Sequence, residues 1–279
     1  MTPIRRTYRT WPDTWPWAAL WLAALLVLPA CGSKDPDYVE RPVEELYNQA
    51  MDQLANGDTE AAASSFDEVE RQHPYSVWAR RAQIMGAYSY YLDNQYDEAI
   101  LAAQRFIQLH PGNPDVPYAQ YLVAISYYEQ ITDVGRDQKM TQRALDALRE
   151  IVERYPETEY ARDARLKLDL AHDHLAGKEM EIGRYYLKRG QYTAAINRFR
   201  VVIENYQTTT HVPEALHRLT EAYLALGVTD EAQTTAAVLG HNFPGSDWYL
   251  DSYALLTGQD LRPEEHKESW LARTWKKVF

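Results

Sequence analysis

One alanine, met five times in register, constrains this chain more than any other feature. Ala62, Ala99, Ala144, Ala195 and Ala232 are each followed seven residues later by an apolar side chain: Val69, Phe106, Ile151, Val202 and Leu239. Twelve residues after each alanine stands Pro74, Pro111, Pro156, Gln207 or Pro244. Spacing of i, i+4, i+7 puts Ala99, Ala103 and Phe106 on one helical stripe. Proline disfavours helix in the residue before it, so four of the five stripes end at a proline. The alanines are 37, 45, 51 and 37 residues apart, which gives a period of 37 with insertions of 8 and 14 residues in the third and fourth units. A helix pair of this size cannot cover its own apolar face, so such pairs must stack. The fold class is all-α, a solenoid of about five helix pairs. The small alanine lets the two helices of a pair approach. Phe66, Leu148 and Phe199 fill the gap to the next unit, with Ala103 and Ala236 at the same position of units two and five.

Unit one is expected over 43–74, with its turn at Asn56, Gly57 and Asp58. Unit two covers 76–111 and turns at Asn94 and Gln95. Unit three begins near Asp115, and residues 132–139 form a polar loop before its second helix. Pro156 opens an extra or extended helix over 160–176. Unit four covers 178–206 with its turn at Arg189 and Gly190, and a threonine-rich loop replaces the proline stop at Gln207. Unit five ends at Pro244 after a turn at Gly227. The solenoid thus spans 43–248, and residues 249–279 form a cap and tail, with 249–256 extending the last helix. Residues 268–279 read as an amphipathic helix. Trp270, Leu271, Trp275, Val278 and Phe279 oppose Arg273, Lys276 and Lys277. Such a helix suits a membrane surface or a docking groove, and docking is preferred because an anchor exists elsewhere.

That anchor is N-terminal. Arg5, Arg6 and Arg9 precede a short apolar run over 17–28, too short to span a bilayer with ordinary flanks. Leu28-Pro29-Ala30-Cys31 follows, which resembles a lipoprotein lipobox in which Cys31 becomes the acylated first residue of the mature protein. Residues 1–30 are then the signal peptide and 31–42 a polar tether. The chain has one cysteine, so it can form no internal disulfide. Its formal net charge of −11 argues against a nucleic-acid partner.

Catalytic chemistry is not evident. His172 and His174 are two residues apart, which on a helix points them about 200° apart, so they cannot share one metal ion. The chain holds no His-Glu-x-x-His, no glycine-rich phosphate loop and no Gly-x-Ser-x-Gly. His73 and His110 fall at equivalent repeat positions before proline. No enzyme, metal or cofactor is expected.

The repeat resembles the tetratricopeptide family over 43–248. That family's concave face is lined by positions 5, 9 and 12 of each first helix. The resemblance therefore implies a peptide groove built from Tyr47, Tyr88, Tyr91, Tyr121 and Tyr128, with Met51, Leu54, Ile84 and Ile125 among them and Arg81 beside it. Tyrosines supply contact area at low entropic cost. Tyr90 and Tyr127, at position 11, pack between units instead.

A lipobox followed by about five such repeats resembles the BamD family, lipoproteins of the outer-membrane β-barrel assembly complex. The most specific stretch runs from Tyr185 to Arg198, through Arg189, Gly190, Asn197 and Arg198. The resemblance implies a role in folding and inserting β-barrels, with location at the periplasmic face of the outer membrane. Its implied partners are unfolded barrel clients, a BamA-like barrel protein and the other lipoproteins of the complex. Arg189, Asn197 and Arg198 are the expected contacts for the barrel protein. Coordinating or regulating peptidoglycan synthesis is the alternative.

Overall fold

The computed structural model describes residues 40–278, with side chains as far as Trp275. The signal segment, Cys31, nearly all of the tether and Phe279 lie outside the described residues. Every regular element among the described residues is a helix. The five pairs are α1 (Val43–Ala55) with α2 (Thr59–Gln72), α3 (Val77–Leu92) with α4 (Tyr96–Leu109), α5 (Val116–Glu129) with α6 (Lys139–Arg154), α7 (Glu159–Lys188) with α8 (Tyr192–Asn205), and α9 (Val212–Ala225) with α10 (Thr229–Asn242). Two helices follow, α11 (Asp247–Thr257) and α12 (Trp270–Val278). Each repeat helix packs on the helices before and after it, and first helices of neighbouring pairs also touch. The core is therefore a string of clusters rather than one centre. All five repeat alanines and their five apolar partners are buried.

Two backbone devices repeat. Within four of the pairs, the first helix ends on a left-handed residue: Gly57, Asn94, Gly190 and Gly227, with φ of 81°, 60°, 70° and 74°. At each, two N–H groups turn back onto the last helical carbonyls, as Gly57 does to Leu54 and Asp58 to Gln53. Only glycine, and less often asparagine, adopts this conformation cheaply. Between units, the second helix ends on His73, His110, Tyr155, Tyr206 or Phe243, all with φ between −131° and −133°. Tyr206 takes this geometry with Gln207 behind it. Proline therefore enforces the stop but is not required for it. Thr209 Oγ1 donates to the Tyr206 carbonyl at 2.8 Å, as Thr158 Oγ1 does to the Tyr155 carbonyl where Pro156 is present.

Of an extra or an extended helix, the structure has the extended one, and its expected end at Ala176 is corrected. Residues 159–188 form one unbroken helix of 30 residues, α7. Its start is built like that of α3. Thr158 accepts a hydrogen bond from Ala161 N–H as Ser76 does from Ala79 N–H. Ala161 and Ala164 pack on Leu148 and Ile151 of α6. Its second half pairs with α8. The 14 inserted residues are thus four more turns of a first helix, about 21 Å at the α-helical rise.

That second half holds a tight contact. A Cβ added to Gly183 would lie 2.3 Å from Phe199 Cε1. The Phe199 ring is fully buried and cannot swing aside. Gly183→Ala should therefore lose about 1–3 kcal/mol through overpacking, only partly offset by about 0.5–1 kcal/mol of helix propensity. Urea denaturation checks this. Phe199→Leu should relieve the clash in the double variant, and strict additivity would show that the two sites do not touch.

The C-terminal segment returns to the solenoid. α11 is a helix of its own, started by Ser246, whose Oγ accepts from Trp248 N–H. It is not the expected extension of α10, and it begins ahead of the expected boundary at Trp248. α12 docks on α10, with Leu271 and Ala272 buried. Trp270 and Trp275 pack against the cluster of units four and five.

Candidate functional site

The first helices bring most of the expected groove tyrosines together, because α3, α5 and the start of α7 lie side by side. Tyr88, Tyr91 and Tyr121 are half-buried neighbours. Two residues that positions 5, 9 and 12 do not predict complete the cluster. The ring of Tyr160 lies 5.5 Å from Tyr118 and 5.3 Å from Tyr121. Tyr118 is the repeat equivalent of Arg81, and Tyr160 that of Trp78, so carrying the period to position 2 and to the residue three before it would have found both. Tyr121 donates its hydroxyl to Asp163 Oδ2 at 2.5 Å. Asp163 is in turn bridged by Lys167 at 2.9 Å, and the Lys167 ammonium sits 5.5 Å from the Tyr128 ring centre.

Burial pushes the phenols of Tyr91, Tyr118 and Tyr121 up, and for Tyr121 the adjoining Asp163 carboxylate adds to the effect. A raised phenol keeps its proton, so these tyrosines present neutral hydroxyls and ring edges. The site can therefore hold an apolar or aromatic chain by packing, with polar tips to fix its backbone. Ile84 and Ile125, expected in the lining, are buried in the core and offer little contact. Tyr47 and Arg81 belong to a smaller group. Tyr47 packs 4.9 Å from Trp78 and 5.6 Å from Phe66, and Arg81 lies 5.7 Å over Trp78. Tyr90 reaches Asp67 of the preceding unit at 2.5 Å, the between-unit role its position predicts.

Arg189, Asn197 and Arg198 divide differently. Arg189 is exposed at the end of α7 and stacks 4.4 Å from the ring centre of Tyr185. Asn197 is exposed, and with Arg198, Tyr186, Ala194 and Val201 it lines a shallow hollow between α7 and α8. Arg198 is already engaged. Its Nη1 donates to Glu179 Oε2 at 3.1 Å, with the two side chains 42% and 20% exposed. Spacing along one helix does not reveal this pair, because Glu179 comes from the other side of the Gly190 turn.

The histidine pair faces different neighbours. The His172 ring lies 6.1 Å from Tyr206, Asp173 accepts from Thr210 at 2.9 Å, and His174 Nδ1 is 3.0 Å from Gln138 Oε1. These residues are partly buried contacts joining α7 to its neighbours.

Comparison with known proteins places the chain. The family described as YfiO, outer membrane lipoprotein, matches residues 39–239. The outer membrane protein assembly factor BamD of Caulobacter vibrioides is 57% identical over 248 residues, covering 88% of this chain and 81% of that protein. The Rickettsia prowazekii protein of the same name is 47% identical, covering 83% and 92%. That of Neisseria meningitidis serogroup A is 37% identical, covering 82% and 91%. None of these names supports the peptidoglycan alternative. With the family match running through all five helix pairs and these relatives aligned along most of their length, the chain belongs to the BamD family of outer-membrane protein assembly factors.

Proposed function

We propose that this chain is a non-catalytic assembly scaffold, acylated at Cys31 and held at the periplasmic face of the outer membrane. Its tyrosine cluster receives extended segments of unfolded β-barrel proteins, and the α7–α8 surface docks on a BamA-like barrel protein. The observation that carries this reading is the gathering of Tyr88, Tyr91, Tyr118, Tyr121 and Tyr160 on three adjacent first helices. Lys167, and the exposed Arg81 further along the first helices, supply the positive charge that a client's terminal carboxylate needs. Crosslinking from Tyr121 in intact cells tests it. Barrel proteins should dominate the products, and recovery of a murein synthase or hydrolase instead would overturn it.

The anchor has its own test. Each buried methylene contributes about 0.8 kcal/mol, so acyl chains outweigh anything a polar tether adds. Cys31→Ser should release the protein from the outer-membrane fraction when the barrel protein is depleted. Retention there would exclude Cys31 as the anchor.

The Glu179 pair revises the expectation for Arg198. A guanidinium can serve two carboxylates through its planar fork. Because Arg198 is half-exposed and already paired, its contribution to docking falls towards the exposed-pair range, about 0.2–1 kcal/mol, rather than the range for buried pairs. Arg198→Ala should weaken copurification of the barrel protein modestly, and Glu179→Gln, which frees the fork, should strengthen it. No change in either would move the interface away from this hollow.

A further inference from the structure

The five inter-unit turns serve as controls for one another. Thirteen residues after the repeat alanine stand Tyr75, Gly112, Glu157, Thr208 and Gly245, and fifteen after it stand Val77, Pro114, Glu159, Thr210 and Asp247. Only the first turn carries an aromatic side chain with a β-branched apolar one. Tyr75 is 98% exposed and Val77 59%. The backbone does not require them. Ser76 N–H closes this turn on the His73 carbonyl, as Asn113 does on His110, Thr158 on Tyr155, Thr209 on Tyr206 and Ser246 on Phe243. Small and charged residues make the same turn, and the core has no use for a side chain that stands in solvent.

The first turn is also where the chain enters the fold. Arg41 N–H donates to Gln72 Oε1 at 2.9 Å, and its carbonyl lies 2.7 Å from His73 Nε2. The residues immediately before Pro74 and Tyr75 thus hold the end of the tether. Ten residues lead from Cys31 to Arg41. Ten residues reach at most about 35 Å. With Cys31 acylated, this turn is tied closer to the bilayer along the chain than any other inter-unit turn. The exposed Arg80 and Arg81 follow within the first turns of α3, with Trp78 half-buried beside them. The acidic groups in the first turn of α1 are Glu44 and Glu45, and Glu45 is bridged to Arg41 at 2.7 Å. A tyrosine backed by an aliphatic side chain and arginines has the chemistry of a bilayer interface, where amphipathic rings sit at headgroup level and cations meet anionic lipid.

We propose that the Tyr75–Val77 turn is a membrane-contact tip. It seats in the headgroup region of the leaflet that holds the acyl chains, with Arg80 against anionic headgroups. The inference rests on the lipid-anchored reading above. The tether makes the contact intramolecular, so a weak insertion is populated without measurable affinity of its own.

Depth-dependent quenching tests it on the full-length acylated protein in phosphatidylethanolamine–phosphatidylglycerol vesicles. Acylation consumes the thiol of Cys31, the chain's one cysteine, so a new cysteine is the sole labelling site. Tyr75→Cys, Val77→Cys and the control Thr208→Cys each carry an environment-sensitive fluorophore. Brominated phospholipid should quench positions 75 and 77 about two-fold or more beyond position 208, with Arg80→Gln lowering the effect at 75. Equal quenching at 75 and 208 in protein that floats with the vesicles overturns the tip and leaves the anchor standing. Protein that does not float overturns both. Shielding of position 75 only when the other assembly proteins are added overturns the lipid contact in favour of a protein one.

Discussion

Leu271→Ala should destabilise the solenoid by about 2–5 kcal/mol, the range for truncating a fully buried leucine. The expectation comes from how α12 is held. Leu271 is 0% exposed although it lies near the end of the chain. Glu231, in the first turn of α10, accepts from Ser269 Oγ at 2.5 Å and from Trp270 N–H at 3.0 Å. A carboxylate there satisfies free N–H groups and complements the positive end of the α12 dipole. The Arg200 guanidinium lies 3.9 Å over the Trp270 ring, linking the segment to α8. The approach is fixed as well, with His266 N–H donating to Thr234 Oγ1 at 3.0 Å and Gln233 Nε2 to the Arg262 carbonyl at 2.8 Å. A solenoid needs such a terminal element because its last repeat has no neighbour to cover it. Chemical denaturation measures the loss, and Trp270→Ala should reproduce part of it. If deleting residues 266–279 leaves stability unchanged but detaches the protein from vesicles, α12 is a membrane helix and not a cap.

The sequence anticipates docking of this segment but not its target. Amphipathicity shows that a face will be covered; the covering surface is set by Glu231 and Arg200, some 40 and 70 residues earlier in the chain. The repeats themselves are legible for a physical reason. Close approach within a pair demands a small residue, and the left-handed cap demands glycine or asparagine, so both leave marks at fixed spacing. Where no such demand exists, the reading fails. Nothing between Ala176 and Lys178 ends a helix. The expected break there came from fitting the period, and α7 runs through it, with Gly177 close against His211, 3.2 Å from an added Cβ to its Nε2. The groove shows the same limit. Tyr88, Tyr91 and Tyr121 follow from repeat positions, whereas Tyr160 enters because the inserted turns leave the start of α7 in register with α3 and α5. Whether a charged residue such as Arg198 is free depends on a partner across a turn, and spacing along one helix does not reveal that.

Truncating the tyrosine cluster should cost client binding more than any change on the α7–α8 surface costs docking. Tyr121 combines an edge against Tyr160 with a hydroxyl bonded to Asp163, so Tyr121→Ala removes contact area and loosens a neighbour together. Losing a central aromatic anchor typically costs about 2 kcal/mol or more, near 30-fold in affinity. Tyr91→Ala should behave similarly, its ring lying 5.9 Å from that of Tyr96 at the start of α4. Tyr121→Phe keeps the ring and should lose far less if packing dominates, or nearly as much if the client's backbone bonds to the hydroxyl. Tyr90→Ala is the control, since Tyr90 is committed to Asp67 between units. The measurement is the affinity of a C-terminal barrel peptide with an aromatic end, on variants whose helicity is intact. It should not vary between roughly pH 6 and 9 on account of these groups, because phenols raised by burial stay protonated throughout that range. Unchanged affinity in both Tyr91→Ala and Tyr121→Ala would place the client elsewhere, and a binding curve that falls as pH rises through the ordinary tyrosine range would show that the phenols ionise in the free protein, so that the cluster is open to water before it is occupied.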